Sequence, residues 1–150
     1  MEKQLQPGID YIGICTPFHC NDGKGNFVFH KRSKRCRDEQ GAWDPGSGKL
    51  EFGLTLEQNV LQEILEEYGC KGTIQEQLPA HSIFRNLNGV KSHWFAVPFF
   101  VRVNPKRVKL NEPEHMDELI WTTLDKLPQP LHTGFWFTYR HYKEYFDKYR

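Results

Sequence analysis

The stretch TLEQNVLQEILEEYG, Thr55 to Gly69, restricts the fold more than any other part of the chain. Thr55 followed three residues later by Gln58 is a capping box, Gly69 is a C-terminal stop, and Leu56, Val60, Leu61, Ile64 and Leu65 recur at helical spacing between them. A helix with such a stripe needs a second layer to cover it. Near its end it also carries Glu63, Glu66 and Glu67. At about 100° per residue, Glu66 and Glu67 fall on either side of Glu63, so all three can face one point.

An acidic face turned to solvent is the ordinary reading of such a cluster. Two energetic terms oppose it. Like charges at i,i+3 and i,i+4 destabilise a helix by a few tenths of a kcal/mol per pair, and carboxylates in the last turns oppose the helix dipole by about 0.3–1 kcal/mol each. Only Lys71 stands four residues from one of them. A hard divalent ion such as Mg²⁺, which takes carboxylate oxygens and water, would remove both penalties.

The covering layer reads as strands. Residues 10–20 and FVFH (27–30), separated by the turn-like NDGKGN, form a hairpin-like start. KRSKRCRDEQGAWDPGSG (31–48) is a long loop with five basic residues. A strand is expected within 72–84, a stronger one over His93–Val103 with Pro98 as an edge or bulge, and a short one at 119–123. In the last segment, Phe135, Tyr139, Tyr142, Phe146 and Tyr149 give one helix with an aromatic, core-facing side. Two helices and five or six strands make a mixed sheet flanked by helices.

At 150 residues the chain reads as one domain, 1–150. The balance of 20 Lys and Arg against 19 Asp and Glu argues against nucleic-acid binding, and no apolar run approaches a membrane span. Cys15, Cys20, Cys36 and Cys70 lack paired spacing, so zinc binding through Cys15, His19 and Cys20 is disfavoured. With no apolar leader at the N-terminus, the expectation is a reduced, cytoplasmic protein.

Gly48, Glu63, Ile64, Glu66, Glu67 and Gly69 stand in the register of the signature of the Nudix hydrolase superfamily. Together with KRS, WDPGSGKLEFG and NEPEHMDELIWTTLDKLPQPL in their usual order, they make the chain resemble that family, of the MutT-like kind, over most of its length. Two signature positions differ: Leu54 stands in place of a glutamate and Gln62 in place of an arginine.

The resemblance implies an α/β fold, a Nudix-type α/β/α sandwich with a mixed sheet. It implies hydrolysis of a phosphoric anhydride in a nucleoside diphosphate derivative, a nucleoside triphosphate before a nucleotide sugar, with Mg²⁺ or Mn²⁺. The metal ligands would be Glu63, Glu66, Glu67 and the Gly48 carbonyl. Glu66 and Glu67 would be catalytic together with Glu112 or Glu114, between which the sequence does not choose. Arg32, Lys34, Arg35 and Arg37 offer charge-assisted contacts to phosphates, with Arg32 and Arg37 as the substrate-binding candidates. Phe18, Trp94 and Trp136 are aromatics for either core or base stacking. The implied partner is a small nucleotide, and a homodimer is compatible with the family. Leu54 and Gln62 keep open the alternative of a weak or inactive Nudix domain that binds a nucleotide or protein.

Overall fold

The structure, a computed structural model, describes residues 2–150. Its organising strand is β1 (Gly13–Asn21), whose side chains alternate between two faces. Phe18 and Cys20 enter one hydrophobic cluster, whereas Cys15, Pro17 and His19 line a cavity on the other side. Next come β2 (Asn26–Arg32), β3 (Trp43–Asp44), β4 (Ser47–Lys49) and helix α1 (Leu56–Tyr68). They are followed by β5 (Thr73–Gln77), β6 (His81–Leu87), β7 (Val90–Ala96), β8 (Phe99–Arg102) and β9 (Met116–Thr123). A 3₁₀ turn at Leu124–Lys126 leads to α2 (Thr133–His141) and α3 (Lys143–Asp147).

The segment expected as one strand over 93–103 is two. Gly13–Cys15 of β1 pairs in parallel with Trp94–Ala96 of β7, and Phe18–Asn21 pairs in parallel with Phe99–Arg102 of β8. Pro98 sits at the break, where a missing N–H does no harm, and its carbonyl accepts from Leu78 N–H at 2.8 Å. The chain changes partners there: β7 pairs with β6, and β8 with β5. One continuous strand thereby serves two adjoining mixed sheets, with β2 and β9 extending one and β4 entering the other.

Both faces are covered, giving the α/β sandwich. On one, Val60, Ile64 and Tyr68 of α1 pack on Phe18, Cys20, Val28, Phe99 and Val101. On the other, Phe135, Tyr139 and Phe146 pack on Phe27, Phe29 and Phe100. The expected C-terminal helix breaks at Tyr142 (φ −121°, ψ 32°) into α2 and α3, yet its aromatic side stays inward, with Phe146 wholly buried against Phe100 at 4.9 Å. Among the described residues, no helix is long and apolar enough to cross a membrane.

Candidate active site

α1 begins and ends as its sequence dictates. Gln58 N–H donates to Thr55 Oγ1 at 3.1 Å, Thr55 N–H donates to Gln58 Oε1 at 2.9 Å, and Gly69 closes the helix at φ 66°. Its buried face is rotated from the expected stripe: Leu65 is half exposed, while Asn59 and Glu67 are buried. Asn59 explains part of the difference. Its Nδ2 donates to Thr16 Oγ1 at 2.9 Å and its Oδ1 accepts from Glu51 N–H at 3.0 Å, while Thr16 Oγ1 donates to the Gly48 carbonyl at 3.4 Å. One buried amide thus locks the helix to β1 and to the Glu51 segment after β4, and Thr16 carries the link on to Gly48 in β4. Gly48 is packed so tightly on Glu63 that a Cβ there would collide with that side chain.

The last turn of α1 is tied to a second loop. Lys109 N–H donates to Tyr68 O, Asn111 N–H to Glu67 O and Asn111 Nδ2 to Glu66 O, at 2.9, 3.2 and 2.9 Å, satisfying carbonyls that a helix end leaves free. These bonds carry Glu112 to the cluster. Burial raises the Glu112 pKa, with Glu114 and Glu66 adding to the rise and His115 opposing it. Glu112 also bears electrostatically on Glu63 and Glu67. Glu114 has no such influence on them; its backbone carbonyl accepts from Ser33 Oγ at 2.6 Å. Of the two candidates, the structure brings Glu112 to the site.

The carboxylates there are uncompensated. Burial, then Glu66, Glu51 and Glu112, push the Glu63 pKa to about 7, with only Lys49 pulling it down. Glu67 is 8% exposed, has one oxygen without a hydrogen-bond partner, and is held well above its ordinary pKa by burial and by Asp44, Glu63, Glu112 and Glu66. Glu66 is exposed and accepts from Gln62 Nε2 at 3.3 Å, while the same amide donates to Glu51 Oε2 at 3.1 Å. The three carboxylates and the Gly48 carbonyl offer only oxygen donors, one of them buried without a partner, although among the described residues their ligand atoms do not converge as closely as those of Asp38, Glu39 and His132. That chemistry fits a hard divalent cation.

Gly48 is also a wall of a cavity of about 430 Å³, which reaches from Gly46–Lys49 across Trp94 and Ile83 to Phe135. This is within the range for small-molecule sites. Arg37 lines it. Arg32 does not: its guanidinium is held by Asp38 at 2.8 Å and Asp44 at 3.0 Å. Arg85 pairs with Glu39 at 3.0 Å and Asp38 at 3.4 Å, and His132 lies 2.9 Å from Glu39. Asp38, Glu39 and His132 converge closely enough to suggest a metal centre, but Arg32, Arg85 and the Thr133 N–H already fill their acceptor sites. Of the aromatic candidates, Phe18 is core, Trp136 lies at the surface under Arg140, and Trp94 faces the cavity. Cys15 and His19 share the cavity face and Cys20 the α1 face, so the three do not converge on one ion.

Sequence reasoning did not pick out Asn59, Glu51, Asp44 or Lys49. Asn59 left a faint signal, an amide between Leu56 and Val60 at the edge of the apolar stripe. Asp44 left none, because its neighbours His30, Arg32, Glu67 and His132 meet only in the fold.

The profile of the NUDIX domain matches residues 16–145. No curated protein matches the sequence significantly. Among solved structures, the fold is similar to a MutT NUDIX hydrolase from Burkholderia pseudomallei (TM-score 0.72, 25% identity, covering 87% of this chain and 97% of that one). It is also similar to a MutT protein from Methanosarcina mazei Go1 (TM-score 0.71, 25% identity, covering 91% and 94%). An Ap4A hydrolase from C. elegans shares the fold at 19% identity (TM-score 0.58, covering 76% and 82%).

Proposed function

The chain belongs to the NUDIX domain family, and on that premise we propose that it is a divalent-metal-dependent hydrolase of a nucleotide anhydride, with a nucleoside triphosphate as the leading substrate class. The observation that carries this reading is the unpartnered buried oxygen of Glu67, which lies among other carboxylates including Glu63, whose side chain packs on Gly48 in the wall of a nucleoside-sized cavity. Glu63, Glu66, Glu67 and the Gly48 carbonyl would hold Mg²⁺ or Mn²⁺. When bound, such an ion offsets charge on phosphate oxygens and lowers the pKa of a water.

The remaining work falls to the chain's own groups. Arg37 and Lys49, on the wall that includes Gly48, balance the phosphate charge. The Glu112 carboxylate, whose pKa burial raises and whose basicity rises with it, accepts the proton of the attacking water. Water forms one P–O bond as the bridging P–O bond breaks, leaving nucleoside monophosphate and pyrophosphate. Arg32, clamped between Asp38 and Asp44, positions the loop rather than the substrate. The hydrogen bonds from Gln62 to Glu51 and Glu66 favour turnover over a binding-only domain, because they link this part of the site without an arginine charge.

Incubating the pure protein with nucleoside triphosphates, nucleotide sugars and dinucleoside polyphosphates, with and without Mg²⁺, tests the reading. Metal-dependent cleavage of one class, abolished in a folded Glu67→Gln variant, is the expected result. No cleavage of any class, or undiminished metal-dependent cleavage in that variant, overturns it.

A further inference from the structure

His19 is buried at 1% exposure, and neither of its ring nitrogens has a hydrogen-bond partner. A neutral imidazole always presents one donor and one acceptor, and leaving a buried polar group unmatched costs about 1–3 kcal/mol. The fold does not compensate this locally. Phe100, Phe135 and Phe146 surround the ring at centroid distances of 5.5, 5.6 and 4.9 Å, and none can accept or donate a conventional hydrogen bond. Burial drives the His19 pKa down to about 3, against Asp44, so the ring is neutral under ordinary conditions.

A phenylalanine at this position would match its neighbours and leave no orphaned atoms. The histidine instead lies in the wall of the cavity, which also presents Ile83, Leu87, Val90 and Trp94. Gly46–Lys49 lines the same cavity alongside His19's own strand, with Phe18 N–H donating to Gly46 O at 3.0 Å and Thr16 paired with Gly48, and Gly48 packs on Glu63. A molecule that places its phosphates against Gly48 has room to lay a flat, uncharged ring along the apolar wall. Among the described residues His19 is the one side chain lining this cavity whose buried polar atoms lack a partner.

We propose that His19 selects the nucleobase, its unpartnered imidazole hydrogen-bonding the edge of an uncharged heteroaromatic ring whose faces rest on the apolar cavity wall. This inference rests on the reading that a nucleotide enters with its phosphates at Gly48. It adds that base choice is made on β1, more than forty residues before the first box glutamate. A hydrogen-bonding group that is otherwise buried and unmatched discriminates strongly, because the wrong base leaves it unmatched again.

The test is binding without metal, so that it does not require turnover. The four common nucleoside monophosphates are titrated into the wild-type chain and into His19→Phe by calorimetry. Ring-nitrogen resonances of ¹⁵N-histidine-labelled wild-type protein are followed in parallel. Wild type should prefer one base over the weakest by about tenfold or more, equivalent to about 1.4 kcal/mol. That base should shift the His19 nitrogen signals, and in His19→Phe the spread should fall to about threefold or less. His19→Asn, which keeps one donor and one acceptor, is the second variant if the phenylalanine chain does not fold, and should retain a preference. An unchanged spread in His19→Phe, unmoved His19 signals on saturation, or no nucleotide binding at all overturns the inference. Base-dependent binding that shifts His19 in a protein without hydrolytic activity would sustain it and refute the catalytic reading alone.

Discussion

Two groups of carboxylates meet where Asp44 approaches Glu67, and burial acts on both in the same direction. Around Glu39 and Asp44 the outcome is nevertheless a lowered pKa. Burial raises Glu39, but its hydrogen bond to His132, the His132 charge, the Thr133 N–H and Arg85 bring it down to about 2. Burial raises Asp44 too, and the charges of His132, His30 and Arg32 outweigh it. Around Glu63 and Glu67 the neighbours are further carboxylates, and both pKa values rise. Acidity and burial therefore do not mark a metal site by themselves. The partners decide: Arg32, Arg85 and His132 satisfy the first group, whereas the second has only Lys49 near it and, on the metal-dependent reading proposed above, takes a cation from solution.

Neutralising one member of each group breaks the comparison most visibly at Glu67. Glu67→Gln should reduce metal-dependent turnover by about 10³-fold or more, the scale of losing a principal electrostatic stabiliser of the transition state. The same change replaces a buried carboxyl that has no hydrogen-bond partner on one oxygen, so thermal unfolding in chelator should give a melting temperature no lower than wild type. Mg²⁺ at a hundred times its Kd should stabilise wild type by about 2.7 kcal/mol and the variant by much less.

Asp44→Asn should behave in the opposite way. It leaves Arg32 facing only Asp38, and removing one partner of a buried pair costs about 3–5 kcal/mol. The Arg32 side chain is 18% exposed, so solvent reduces this to roughly 2–3 kcal/mol. Urea titration reads the effect as a lower midpoint with unchanged slope. A midpoint equal to wild type would mean that the Arg32 clamp is not structural.

The difference between the two groups also sets what could be read without a fold. The clustering of Glu63, Glu66 and Glu67 was legible because a capped helix holds them within two turns, and spacing alone puts them on one side, whereas Gly48 entered only through the resemblance to the family signature. The two-faced sheet and the inward aromatic helices were legible from period, whereas the strand break at Pro98 was not, since the apolar pattern runs straight through it. Arg32 was open to a phosphate-binding reading because its counter-ions are six and twelve residues away on a turning loop. His19 looked like part of an apolar strand, and its orphaned nitrogens emerge only when α2 and α3 bring Phe135 and Phe146 against it.

A smaller effect separates the groups by pH. The Glu39 pKa is lowered from 4.5 to about 2, so its contribution is complete above pH 4.5 and is lost as pH falls through about 2. Stability curves of metal-free wild type and Glu39→Gln should therefore stay apart from pH 7 to 4.5 and converge near pH 2. The Glu39 side chain is 15% exposed, so residual solvent screening keeps the slope below about 1.4 kcal/mol per pH unit. A gap that instead widened on acidification would contradict the compensated picture.

The finest test asks whether internal cations could convert the second group into a copy of the first. Leu54→Glu with Gln62→Arg would put a guanidinium where the Gln62 amide now reaches Glu51 and Glu66. Both acceptors are exposed, and pairs of that kind contribute about 0–1 kcal/mol. Neither substitution reaches the unpartnered oxygen of Glu67, which is buried beside Asp44 and Glu63. Turnover at saturating Mg²⁺ should change by no more than about fivefold, which is about 1 kcal/mol. A gain of a hundredfold would mean that the amide bridge is a poor substitute for charge, and that Glu51 and Glu66, rather than Glu67, limit the natural site.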